Sequence, residues 1–186
     1  MAIPNFNNQG LLPPHNGNPA DMSDSSPYPA TTVELCNKFG TTAERREILK
    51  GFLQLRDLMR QLEVLVGFQW VNGRFMEQDI GKRKTPDHIQ VVTFYKPSPL
   101  VRHPDYADLV KPLKNTKATR DRFLVDHSIV NLEMTVEKII NHTRHYAGLL
   151  SHESESGTWK GLLRIELNTA ADDHEAMRRL TERERS

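Results

Sequence analysis

From Ile89 to Tyr95 the chain reads IQVVTFY, a nearly continuous run of β-branched and aromatic residues. Such side chains lose rotamer freedom in a helix and pack well on a pleated surface. The run therefore reads as a strand, and its weak polar alternation suits a central one covered on both faces. A central strand needs neighbours beside it and helices over it. Phe68–Val71 reads as a shorter strand just upstream, joined to it through Gly73 and a polar connection. Phe123–Leu132 (FLVDHSIVNL) reads as a third strand, and Lys160–Leu167 as a fourth, or an edge.

Helical signals fill the intervals. Thr32–Phe39 is a short helix that Gly40 stops. Thr41 and Glu44 have capping-box spacing and open a long helix, on which Ile48, Phe52, Leu55, Met59 and Leu62 recur at helical spacing. Pro104 opens a helix near Asp105–Leu113, which Pro112 ends or kinks. Thr135–Ser151 is a helix with Val136, Ile139, Ile140, Thr143, Ala147 and Leu150 facing inward. A polar loop follows at 152–158. Asn168 or Thr169 then caps a charged C-terminal helix. The expected fold class is α/β (α+β), one mixed sheet flanked by helices over residues 31–186. Residues 1–30 are rich in Pro, Asn, Gly and Ser. They read as an extended arm anchored on the domain by Ile3, Phe6, Leu11 and Leu12.

Composition narrows the function classes. A length of 186 residues fits one domain, and a net charge of +1 gives no global bias toward nucleic acid. The single cysteine, Cys36, permits no intrachain disulfide and suits a reducing, cytoplasmic setting. No run approaches the ~20 apolar residues of a transmembrane helix. The N-terminus lacks the basic segment and apolar run of a secretory signal.

The segments FNNQGLLPPH, AERREILKGFLQLRDLMR, WVNGRF…PDHIQVVTF, FLVDH and HYAGLLSHESESGTWKGLLRIEL together resemble an uncharacterised bacterial family with the minimal nucleotidyltransferase fold. That fold is similar in its core to DNA polymerase β, and the resemblance covers nearly the whole chain. The pattern it implies is Gly-Ser on the turn after the first strand, Asp-x-Asp on the second, and a third acid on a later strand. Two Mg²⁺ ions need charged oxygen ligands, and acids two apart on a strand point to one face.

Gly73 matches the turn glycine, but Arg74 stands in place of the serine. Pro86–Asp87–His88–Ile89–Gln90–Val91–Val92 aligns with Pro-Asn-Asp-x-Asp-Val-Val, so His88 and Gln90 replace the paired acids. Asp126 fits the third acid. Shifting the register to Asp87 does not help, because a strand would turn that side chain to the face opposite His88. The resemblance thus implies a protein with an enzyme's shape, no intact catalytic residue and no cofactor. Its metal candidate is reduced to Asp126. An active nucleotidyltransferase using Mg²⁺ and NTP is the alternative, and it would need Glu77, Asp79 or Asp87 as a replacement acid.

Other signals bear on binding. Gly73 and Arg74 with Lys82, Arg83 and Lys84 form a possible anion cradle, since guanidinium groups suit oxyanions. Lys111, Lys114, Lys117 and Arg120 recur every three residues, a candidate nucleic-acid or partner patch without aromatic residues to stack bases. His142 and His145 share a helix face but lack a third ligand. Trp159 reads as packing the 152–158 loop onto the sheet. Partners implied by the resemblance are a protein or larger assembly, a nucleotide or an RNA, in a bacterial toxin–antitoxin or phage-defence setting and without a membrane.

Overall fold

The computed structural model describes residues 3–78 and 85–185. The elements follow in the order β1 (Tyr28–Pro29), α1 (Thr32–Phe39), α2 (Ala43–Gln61), β2 (Gly67–Asn72), β3 (Ile89–Tyr95), α3 (Ala107–Leu113), α4 (Thr116–Phe123), β4 (Val125–Asn131), α5 (Val136–Leu150), β5 (Leu163–Glu166) and α6 (Ala170–Arg185). The strands form one mixed sheet in the order β1-β5-β2-β3-β4. β2 runs antiparallel to β3 and β5, whereas β3 and β4 are parallel, as are β1 and β5. Among the described residues no helix is long and apolar enough to cross a membrane.

The two faces of the sheet are unequally covered. Val71, Ile89, Val91, Val125, Leu163 and Ile165 join the main core with Leu35, Phe39, Ile48, Phe52 and Leu180 from α1, α2 and α6. The alternate residues Trp70, Val92, Phe94 and Val130 form a smaller core, where Leu150 of α5 is the buried helical contributor. This two-sided burial is why IQVVTFY carries so little polar alternation. The arm adds Leu11 and Leu12, both 1% exposed, and pairs Tyr28 with Leu163 at the sheet edge.

Several local expectations are corrected. The reciprocal capping box belongs to α1: Glu34 N donates to Thr31 Oγ1 at 3.1 Å, and Thr31 N donates to Glu34 Oε2 at 2.8 Å. α2 is capped by Thr42, whose hydroxyl accepts from Arg45 N at 3.3 Å, so Thr41 is one residue outside. α4 lies where the sequence shows no apolar stripe, because only Thr119 and Phe123 of it are buried. Asn115 caps it and Leu124, in the left-handed region at φ 57°, ends it, which delays β4 to Val125. On α5, Val136 and Ile140 are exposed at 73% and 60%. They flank the inward stripe of Ile139, Thr143, Tyr146 and Leu150, and among the described residues no second helix joins the smaller core to cover them.

A buried polar chain crosses the sheet. Arg56 of α2 donates from Nε to both carboxylate oxygens of Asp173, at 2.9 and 3.0 Å. Its Nη1 donates to Gln69 Oε1 at 2.6 Å, and its Nη2 to Thr169 Oγ1 at 2.7 Å. Gln69 Nε2 donates to Thr93 Oγ1 at 3.0 Å, and Thr93 Oγ1 lies 2.8 Å from His127 Nε2. One chain of polar groups thus links α6, α2, β2, β3 and β4.

Two outcomes follow from this packing. A Cβ on Gly51 would lie 1.9 Å from the Phe123 carbonyl oxygen, where α2 and α4 touch. Gly51→Ala is expected to destabilise the fold by about 1–3 kcal/mol through forced separation of the two helices, read by urea unfolding. Burial pulls the His127 imidazole down from 6.5 to about 4. The unfolded chain therefore takes up this proton first. The stability it contributes is complete above pH ~6.5 and is lost as pH falls through the window down to ~4, by roughly 3 kcal/mol in all. His127→Gln should flatten that part of the unfolding free energy against pH.

Candidate ligand-binding cleft

The cleft is built at the junction of β2 and β3. After Asn72 the backbone turns at Gly73, with φ 92° and ψ −173°. A Cβ there would lie 3.0 Å from Gln90 Cγ, so the turn presses on β3 and requires glycine twice over. A 3₁₀ turn, Arg74–Met76, follows and buries Phe75 and Met76. Arg45 of α2 holds it from below, with Nη1 donating to Phe75 O at 2.7 Å and Nη2 to Glu77 O at 2.9 Å. Lys160 holds it from the side: Nζ donates to Gly73 O at 3.2 Å and to Glu77 Oε1 at 2.7 Å. The Lys160 and Glu77 side chains are 5% and 6% exposed, so this is a buried ion pair.

The start of β3 supplies the floor. In-register pairing sets Gln90 opposite Asp126 of β4, so these two share one face of the sheet, and His88 immediately precedes the strand. His88 Nε2 lies 4.0 Å from Asp126 Oδ2, outside hydrogen-bond reach. Asp87 precedes the strand and so escapes its alternation. Instead of facing away, its Oδ1 lies 2.6 Å from His88 Nδ1. Arg120 of α4 completes the cluster, with Nη2 2.9 Å from His88 Nδ1 and 3.4 Å from Asp87 Oδ2. The hydrogen bond from His88 holds the Asp87 carboxyl below the usual aspartate value, with Arg120 adding a smaller pull.

The opposite wall is the end of α5, with Gly148 and Leu149, and the loop that follows. The enclosed space is about 450 Å³ and is lined by Gly73, Arg74, His88, Gln90, Leu149, His152 and Lys160, among others. Asp126 lies outside the lining. In the loop, Glu153 accepts from Glu155 N at 3.1 Å and from Ser156 N at 2.7 Å. Burial pushes the Glu153 carboxyl up, but the hydrogen bonds from Ser156 and Glu155 and the charge of Lys160 together outweigh it and bring it to about 2. Glu155, at the loop tip, reaches across to Arg74 Nη2 at 2.7 Å.

The charges of the cleft are thus paired internally: Arg74 with Glu155, Lys160 with Glu77, Arg120 with Asp87. Glu77 and Asp87, two of the acids an active enzyme would call on, are already engaged, and Asp79 lies outside the described residues. Among the described residues no group of three His, Cys, Asp or Glu side chains converges to hold a metal. The donors at the strand positions are an imidazole, an amide and one carboxylate, a poor fit for Mg²⁺.

The other predicted residues are dispersed. Lys82, Arg83 and Lys84 lie outside the described residues. Asn115 breaks the basic stripe in two, leaving Lys111 on α3, Lys114 at its end, and Lys117 and Arg120 on α4. Lys117 pairs with Asp121, and Arg120 contacts Asp87 and His88 of the cleft lining. His142 and His145 pack against Tyr146 on α5. Trp159, 54% exposed, does not pack onto the sheet; its ring lies 6.2 Å from that of His15 of the arm. Cys36 is buried, which with nearby Asp173 pushes its thiol up to about 12.

Sequence reasoning missed Arg45, Lys160 and Glu155. A lysine inside the otherwise apolar start of WKGLL was a usable signal, since a lysine there is buried only with a partner. The Arg45 and Glu155 contacts join residues far apart in the chain and left no local trace.

A model of a family of unknown function, DUF6932, matches residues 4–166. The chain belongs to this family. The DUF6932 match runs from the arm through β5 and includes every residue of the cleft, leaving α6 outside. No curated protein and no solved structure matches the chain.

Lys160→Met should cost about 3–5 kcal/mol in urea unfolding, because it replaces the buried ammonium facing the Glu77 carboxylate with an apolar side chain. A Glu77→Leu, Lys160→Met double variant, which removes both charges, should recover a large part of that loss.

Proposed function

We propose that this protein is a catalytically degenerate, nucleotidyltransferase-like protein that binds a nucleotide, RNA or protein partner in its cleft and does not transfer a nucleotidyl group. The observation that carries this reading is the donor set at the start of β3 and on β4. Where a metal pair would call for acids, His88 and Gln90 offer an imidazole and an amide, and Asp126 is 4.0 Å from His88. Hard divalent ions bind through charged oxygens, and one carboxylate does not hold a pair of them.

The order strand, glycine turn, strand and later strand supports the likeness to such a fold. The cleft itself, with a fixed turn and polar groups at its floor, supports retained binding. The likeness to nucleotidyltransferases, the cytoplasmic setting and the bacterial toxin–antitoxin or phage-defence context rest on the sequence resemblance and belong to the same proposal.

The deciding experiment incubates the pure protein with labelled NTPs, Mg²⁺ or Mn²⁺ and total RNA. No label transfer is expected. Transfer that disappears in Asp126→Ala would overturn the reading in favour of an active enzyme. As a complement, the triple variant Arg74→Ser, His88→Asp, Gln90→Asp should gain nucleotide-dependent Mg²⁺ binding by calorimetry; failure to gain it would show that these positions do not correspond to a metal site.

A further inference from the structure

The ion pairs of the cleft differ in how easily they break. Lys160 and Glu77 are buried together, so separating them would leave a carboxylate in a dry site. Arg74 and Glu155 are 45% and 76% exposed, so either can turn to water. An exposed pair of this kind is worth no more than about a two- to fivefold change in an equilibrium.

The two halves of this exposed pair are nevertheless well positioned. Arg74 follows a turn pinned by Arg45 and Lys160. Glu155 sits on a loop closed by Gly157 N donating to Glu153 O at 2.9 Å and Glu153 N donating to Thr158 O at 2.8 Å. The Glu153 carboxylate, accepting from the Glu155 and Ser156 amides, fixes the loop tip beside the cleft. The loop therefore delivers one carboxylate, on a fixed base, to the exposed guanidinium in the lining.

We propose that Glu155 is an internal stand-in for the ligand: its carboxylate pairs with Arg74 at the edge of the cleft, and an oxyanion of the ligand, phosphoryl or carboxylate, binds there by displacing it. This deepens the proposed binding function and rests on it. Displacement exchanges one Arg–oxyanion pair for another and returns the Glu155 carboxylate to water. A phosphoryl group, with more charge and more acceptor oxygens than a carboxylate, gains more from the guanidinium. The latch thereby sets a threshold against weak, singly charged competitors.

The test measures binding of pyrophosphate and, separately, succinate to the full chain by calorimetry at low salt. The variants are Glu155→Gln, Arg74→Gln and, as a charge control, Asp105→Asn. Asp105 follows the far end of β3 from the cleft and is 81% exposed on its side chain. Glu155→Gln should bind pyrophosphate about two- to fivefold more tightly than the wild type, Arg74→Gln should lose binding, and Asp105→Asn should match the wild type. A gain with succinate equal to that with pyrophosphate would support the latch and identify carboxylates as sufficient. Wild-type binding that Glu155→Gln leaves unchanged or weakens, or a gain that Asp105→Asn reproduces, overturns the latch and leaves the binding function standing. Absence of binding by both anions to the wild type and to Glu155→Gln overturns anion recognition at Arg74, and the latch with it.

Discussion

Arg56 is the side chain through which the helices and the sheet are joined. Its guanidinium is buried under α2 and spends its donors on Asp173 and Thr169 at the start of α6, on Gln69 of β2, and on the Glu166 carbonyl at the end of β5. A buried cation is tolerated only when its donors are met. Every one of these partners must therefore arrive in place for any of them to be satisfied. The same requirement extends through Gln69 and Thr93 to His127, so a polar chain of fixed geometry runs through a core whose apolar contacts alone would accept several arrangements.

The cleft depends on the same device at smaller scale. Arg45 and Lys160 meet the carbonyls of Gly73, Phe75 and Glu77, and Lys160 also meets the Glu77 carboxylate. Two buried cations, one on α2 and one in the segment before β5, thus set the path of the turn that carries Arg74. The rigidity of the turn is electrostatic in origin, while the mouth of the cleft, where Arg74 meets Glu155, is exposed and exchangeable. A held base with an exchangeable rim is what the proposed displacement of Glu155 by a ligand requires.

Much of the architecture was legible from local signals. α1 and β3 fall at the boundaries their residues predict, and the mixed sheet follows from the order of elements. α4 was hidden because its buried face amounts to Thr119 and Phe123, too little for a helical period. The exposure of Val136 and Ile140 was equally hidden: periodicity shows which side of α5 is apolar, but not how far a neighbour covers it. At the site, the neutral side chains of His88 and Gln90 could be read directly, whereas the pairing of each cation could not.

The sequence by itself determined the strand that anchors the sheet, the glycine at the turn and the identity of the groups at the start of β3, because each depends on residue type and near-neighbour spacing. Tertiary structure alone decided the charge of the cleft. Arg74 and Arg120 read as binding cations in sequence and Lys160 only as the start of a strand, yet each meets a carboxylate delivered by a different segment. Coulomb energy depends on distance in space and on burial, and neither is encoded in separation along the chain.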